Sequence, residues 1–279
     1  TQAGSIVISD LKPIKRYVNL INEGKVLLYR EFRMNGEIRF LGADSTSLKT
    51  FIFKPEELLS EVPSVEFEKT KLHRVLKAKE PIKFITINEG YILTIDLCEK
   101  PIKKENKFEE ELLNFLINTS KASNTPIPVG FAVSGIWILQ EPEYFKNIVN
   151  ARKDGMLDVT WINHSMRHPI AQGKFLTARN VNFEKEVLEF EILLLEKGEV
   201  PSLFFRFPGL VYNEELLLDL FNLSLIPLDS NAWLAKGQKP KAGSIILVHG
   251  NGNEHRGIDV FFNIFKKEKP QFASIYDLK

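Results

Sequence analysis

From about residue 90 onward the apolar positions of the chain fall into short uninterrupted runs, separated by stretches in which apolar residues recur at helical spacing. Residues 91–96 (Tyr-Ile-Leu-Thr-Ile-Asp) form the first run and read as a strand. After a lysine-rich loop, Phe108, Leu112, Phe115 and Leu116 share one face of a helix, with Asn106 and Glu109 placed to cap its start. Residues 126–133 and 156–162 read as two more buried strands, and Phe183, Val187, Phe190 and Leu194 mark a long amphipathic helix ending near Gly198. Then come a strand at 203–206, a helix at 213–221, a strand near 225–228, a strand at 244–248 and a helix at 258–265.

Strands that are apolar throughout and alternate with helices predict a parallel sheet covered on both faces, as an open doubly wound sheet or a barrel. In either architecture chemistry collects at the C-terminal ends of the strands. The first 85 residues follow a different pattern. Segments 26–32 and 37–41 flank Asn35-Gly36, the pair that suits a type I′ turn, and predict a hairpin. The chain thus divides into an N-terminal extension or small subdomain, 1–85, and a main domain, 86–279, with the boundary near 79–81.

Composition narrows the function classes. With 279 residues, 44% hydrophobic and 26% charged, the chain has the make-up of a globular protein with ample core, which excludes disorder and a coiled coil. Its net charge of +1 gives no global reason to expect nucleic acid as a partner. The longest apolar runs, such as 131–139, reach about half of the roughly 18–20 residues a membrane-spanning helix needs. The single cysteine, Cys98, precludes an intrachain disulfide. The chain begins at Thr1 rather than Met, the expectation for one that has lost a leading segment.

Four polar residues stand at predicted strand ends: Asp96, Arg206, Asp229 and His249. Their shared position predicts one site. The sharpest local pattern is Asn163-His164-Ser165-Met166-Arg167-His168-Pro169. On one helical turn His164 and His168 point the same way and can share a divalent metal. A metalloprotease would carry glutamate directly after the first histidine, where this chain has Ser165. The glycine-rich stretch 250–257 lacks both the P-loop ending and the dinucleotide spacing, and reads as a loop at the mouth of the site. Lys100, Lys103, Lys104 and Lys107 read as a solvated basic cluster. Phe204 and Phe205 read as core, whereas Phe207 suits either the core or a sugar platform. Cys98 has no sequence-adjacent histidine, which disfavours a nucleophile.

Taken in order, Thr94-Ile95-Asp96, His164-Ser165-x-x-His168-Pro169, Arg206-Phe207-Pro208-Gly209, Asp229-Ser230-Asn231-Ala232-Trp233 and Leu247-Val248-His249 resemble the five motifs of the polysaccharide deacetylase family of carbohydrate esterases. The resemblance spans about 88–268, with 131–137 similar to the strand between the first two motifs. It implies an α/β fold built as a deformed (β/α) barrel, with the N-terminal α/β extension added. It also implies a divalent metal of the zinc type and hydrolysis of acetyl groups on N-acetylated glycans in the cell envelope. By the same resemblance Asp96 is the general base, His249 the general acid, Arg206 and Asp229 their respective orienting partners, and His164 and His168 metal ligands. The resemblance also implies that Trp233 and Leu247 wall the acetyl pocket, with Phe207 and Pro208 beside the substrate.

One motif departs. The family usually has Asp-Asp-Gly where this chain reads Asp96-Leu97-Cys98-Glu99, and Leu97 cannot ligate a metal. Glu99, Asp96 itself or water are the candidates for the third position. The sequence resembles a variant subgroup with Asp-Leu-Cys-Glu here. Three readings follow: an N-deacetylase of a polysaccharide or glycolipid, a non-catalytic carbohydrate-binding protein that has lost the metal, and an O-acetyl esterase. The resemblance and the absent initial methionine together favour a periplasmic or exported location, with a cytoplasmic one left open.

Overall fold

The computed structural model describes residues 4–22, 24–99, 110–266 and 270–278. In chain order the first elements are β1 (Ile8–Leu20), β2 (Lys25–Met34), β3 (Glu37–Asp44), β4 (Thr50–Phe53), β5 (Leu58–Glu61), α1 (Ser64–Phe67) and α2 (Lys71–Ala78). Next come β6 (Ile92–Leu97), α3 (Glu110–Ser123), β7 (Ile127–Val133), α4 (Gly135–Gln140), α5 (Pro142–Lys153) and β8 (Leu157–Asn163). The last are α6 (Phe183–Glu196), β9 (Phe204–Phe205), α7 (Glu214–Asn222), β10 (Ile226–Pro227), β11 (Ala232–Trp233), β12 (Ile245–His249) and α8 (His255–Phe265).

These elements form two compact units, one of residues 1–81 with 169–227 and the other of 82–168 with 228–279. The change of unit at 81/82 lies next to the boundary expected near 79–81. The grouping differs from a single cut after residue 85, because 169–227 pack with the N-terminal sheet.

In the first unit the sheet is antiparallel in the order β4-β3-β2-β1-β5. Asn35 and Gly36 both take positive φ, 52° and 84°, as the predicted type I′ turn between β2 and β3 requires. Val18, Leu20, Val26, Leu28, Phe40 and Phe53 make one apolar cluster of this unit. α6 packs against β1, and its Glu191 reaches Arg30 of β2. The Arg30 guanidinium donates from Nε and Nη2 to the two carboxylate oxygens of Glu191, at 2.6 and 2.9 Å. Its Nη1 donates to the carbonyls of Tyr29 and Leu223, each at 2.8 Å. Both side chains are fully buried. Burial raises the Glu191 carboxyl while Arg30 pulls it down. The same unit holds the short parallel pair β9 and β10.

The second unit carries the other five parallel strands, in the order β8-β7-β6-β12-β11. β6 is buried at every position, the pattern of a strand covered on both faces. On α3, Leu112 and Leu116 are buried as the helical spacing predicts, and the Phe115 ring meets Phe261 and Phe262 of α8 edge-on. The expected cap at Asn106 and Glu109, Phe108, and the basic cluster Lys100, Lys103, Lys104 and Lys107 lie outside the described residues. No described helix is long and apolar enough to cross a membrane.

Removing one partner of a desolvated ion pair leaves the other charge buried and unpaired. Glu191→Ala should therefore lower stability by about 3–5 kcal/mol, read as a shift in urea midpoint at constant m-value. A loss under about 1 kcal/mol would contradict the importance given to the pair.

Candidate metal and catalytic site

The site grows from the register of four parallel strands. Asp96 of β6 is level with Ala132 of β7 on one side and with His249 of β12 on the other. Leu97 is level with Val133, and Val133 with Asn163 of β8. The strands thus finish together, and the residues that follow, Cys98, Ser134, His164 and Gly250, come together at one end of the sheet.

The pleat then sorts side chains by parity. Ile95 and Leu97 share one side, where a Cβ on Gly250 would meet Ile95 Cγ2 at 2.6 Å and Leu97 Cδ2 at 3.1 Å. Asp96 and Cys98 both reach His164. The Asp96 Oδ2 lies 3.9 Å from His164 Nε2. The Cys98 sulfur and one ring nitrogen each from His164 and His168 all lie within 4.8 Å of one another, and all three residues are buried.

The two histidines meet, but not on a helix. Residues 164–168 form a loop in which Ser165 (φ 68°) and His168 (φ 50°) take left-handed backbone. Side chains build this turn: Asn163 Oδ1 accepts from the Ser165 amide at 3.0 Å, and Ser165 Oγ accepts from the His168 amide at 3.0 Å. Such local bonds offer the backbone an alternative to the helix, which is why the i, i+4 spacing misled about conformation while placing the rings correctly. The imidazoles end with ring centres 4.7 Å apart. The loop is docked on the start of α4, where the amides of Gly135 and Ile136 donate to the carbonyls of Ser165 and Met166 at 3.1 and 2.8 Å.

His249 is held from its other side. Its Nδ1 is 2.8 Å from Glu254 Oε2, and the same oxygen accepts from Trp233 Nε1 at 2.7 Å. Burial tends to discharge His249, but the Cys98 thiol, Glu254 and the nearby Asp96 outweigh it and push its pKa up to about 10. Burial likewise raises the Cys98 thiol, yet His168 and His249 bring it down to about 7. The Glu254 carboxyl is lowered chiefly by its bond to His249. One thiol and two imidazoles, all buried, form a donor set that suits a zinc-type ion.

The other residues singled out from the sequence fall as follows. Glu99 is partly buried and, among the described residues, is not in the three-residue cluster. Asp229 is buried, accepts from the Ser230 amide at 2.7 Å and lies 3.6 Å from Lys83 Nζ; the bond to His249 Nδ1 comes from Glu254. Trp233 and Leu247 are level on β11 and β12 and largely buried, with Lys236 Nζ 3.5 Å from the centre of the Trp233 ring. Arg206, Phe207 and Pro208 belong to the first unit and are buried there. Phe207 packs among Phe183, Phe205 and Tyr212, as a core ring does. Sequence reasoning missed two residues, Cys98 as a potential ligand and Glu254 as the partner of His249. Parity with Asp96 was the available signal for the first; nothing in the glycine-rich loop marked the second.

No family model matches the chain. Its fold is that of solved carbohydrate esterases. A family 4 carbohydrate esterase from Bacillus anthracis superposes with a TM-score of 0.53 at 17% identity, over 74% of this chain and 90% of that one. PdaA from Bacillus subtilis, another family 4 carbohydrate esterase, gives 0.52 at 18% identity, over 75% and 88%. A family 4 pseudoenzyme from Bacillus anthracis gives 0.50 at 17% identity, over 81% and 76%. The expected α/β fold with a deformed barrel of parallel strands is therefore the observed one.

A Cβ on Gly135 would come within 2.1 Å of Met166 Sδ and 3.0 Å of its carbonyl oxygen, so a larger residue must displace the Met166 side chain and press on the histidine loop. Gly135→Ala should cost about 1–3 kcal/mol, measured by thermal or urea unfolding. An unchanged midpoint would show that the loop accommodates the methyl.

Proposed function

We propose that this chain is a metal-dependent carbohydrate deacetylase of the polysaccharide deacetylase family, hydrolysing the acetamide of N-acetylated sugars in a cell-envelope polysaccharide or glycolipid. The observation that carries the reading is the convergence of Asp96, His164, His168 and His249 at one buried strand end, in the motif order of that family. The shared fold supports it.

The ground for each role is chemical. An amide is cleaved by water only if a base takes the water's proton and an acid protonates the departing nitrogen, because an amide anion is too poor a leaving group. Asp96 is the base: as water oxygen adds to the acetyl carbon, its proton passes to the carboxylate. His249 is the acid: as the C–N bond breaks, the imidazolium gives its proton to the sugar nitrogen, leaving acetate and a free amine. Glu254 at Nδ1 fixes the orientation of that ring and favours its charged form. Held by His164 and His168, a divalent ion would supply Lewis-acid polarisation of the acetyl oxygen and acidify the bound water. Glu254 holds His249 where the resemblance would have Asp229 do so, and Trp233 and Leu247 keep in this reading the pocket wall that the resemblance gives them.

Leu97 in the ligand position of the first motif, together with the likeness to a family 4 pseudoenzyme, favours a second reading, a glycan-binding protein without turnover. Acetate release from N-acetylglucosamine oligomers by the zinc-supplied protein decides between them. We expect turnover, lowered about 10²–10⁴-fold in kcat by Asp96→Asn and by His249→Ala, with unchanged circular dichroism. Saturable glycan binding without acetate release at any divalent ion would establish the second reading, and full activity in both variants would remove the assigned roles. On O-acetylated substrates, the better leaving group makes the loss in His249→Ala smaller.

Glu254→Gln keeps the shape of the His249 partner and removes its charge. It should lower kcat roughly tenfold or more while leaving KM nearly unchanged. A change confined to KM would place Glu254 in substrate binding instead.

A further inference from the structure

We propose that Cys98, as its thiolate, is the third protein ligand of the metal site, completing a sulfur-and-two-imidazole set with His164 and His168 that selects zinc-like ions over magnesium and calcium. The inference rests on the two histidine ligands of the deacetylase reading and adds what the first motif lacks.

Three observations carry it. The sulfur and the two ring nitrogens already lie within 4.8 Å of one another. Tetrahedral bonds of about 2.0–2.3 Å place ligand atoms roughly 3.3–3.8 Å apart, so small side-chain rotations close the site. Parity explains why this residue can serve. Leu97, next to Asp96, packs with Ile95 on the side that faces Gly250, whereas Cys98, two residues on, comes back to the side of Asp96 and the histidines. The loop then holds the cysteine in place: Asn251 Nδ2 donates to the Cys98 carbonyl at 2.9 Å, and the Ser134 amide to the Leu97 carbonyl at 3.0 Å.

The chemistry agrees with the geometry. A thiolate brings the same single negative charge as a motif carboxylate, so the ion keeps its net charge with these three ligands. With the third position filled by sulfur, the Asp96 carboxylate is left to act as base. Thiolate and imidazole suit zinc and cobalt, while magnesium and calcium demand oxygen.

Cobalt(II) titration of the full chain tests the assignment without relying on turnover. Because Cys98 is the only cysteine, a thiolate-to-cobalt charge-transfer band in the near ultraviolet can have one source. We expect that band in the wild type at one equivalent, together with visible ligand-field bands, and its persistence in a large excess of magnesium. Cys98→Ser should lose the band and bind cobalt roughly tenfold or more weakly. Cys98→Asp should bind cobalt without the band. A wild-type complex with ligand-field bands and no charge-transfer band overturns the proposal, as does failure of the wild type to bind cobalt. These outcomes come from the wild type and do not depend on a variant folding. Acetate release from the same samples separates the two readings: the band without turnover keeps the ligand and removes the deacetylase, whereas turnover without the band does the reverse.

Discussion

Parallel pairing of β6 with β12 sets His249 level with Asp96, and the chemistry we propose for the second unit depends on that register. A slip of one residue would turn Asp96 and Cys98 toward the side now occupied by Ile95 and Leu97, and bury a carboxylate among apolar groups. The register is held by what surrounds it. β6 has β7 on its other side and is buried at every position. Asp96 and His249, to which we assign the roles of base and acid, are level on neighbouring strands because the backbone ladder sets them so.

Burial makes the arrangement consequential. A buried carboxylate, thiol and two imidazoles would be costly without partners, and here Asp96 lies by His164 while Cys98 interacts with His168 and His249. Asn163 and Ser165 supply the bonds that let the histidine loop turn, and Glu254 holds both His249 and Trp233 with one oxygen. The first unit solves a similar problem with Arg30 and Glu191, where every nitrogen of the guanidinium donates to a defined acceptor. In the first unit the desolvated charge is tolerated because the geometry of the guanidinium is saturated.

Much of the fold was legible in the sequence, for physical reasons that can be named. Parallel strands buried on both faces leave continuous apolar runs, and helices leave a 3.6-residue period, so β6, β7, β8, β12, α6, α7 and α8 were all anticipated to within a few residues. The Asn35-Gly36 turn was legible because its positive φ values demand those residue types. β1 was not: its alternation is interrupted by Pro13 and two irregularities in its pairing with β2. The packing of 169–227 with the N-terminal sheet was not legible either, since it rests on contacts such as Arg30 with Glu191, 161 residues apart. In the site, the histidine pair was visible by spacing, though the turn that joins them is built by side chains rather than by helical period. Cys98 has no histidine beside it along the chain, because its neighbours come from the loop after β8 and from β12 across the sheet. Glu254 sits in an irregular loop, where no periodicity reports which way a side chain turns.

The central claim is that the buried strand ends form a metal site in a hydrolase. The most direct measurement is the metal content of the protein purified without chelator, by mass spectrometry, beside His164→Ala prepared in the same way. The account predicts near-stoichiometric zinc or a similar ion in the wild type and its loss in the variant. No retained metal in the wild type, and none taken up on titration with zinc, would contradict it.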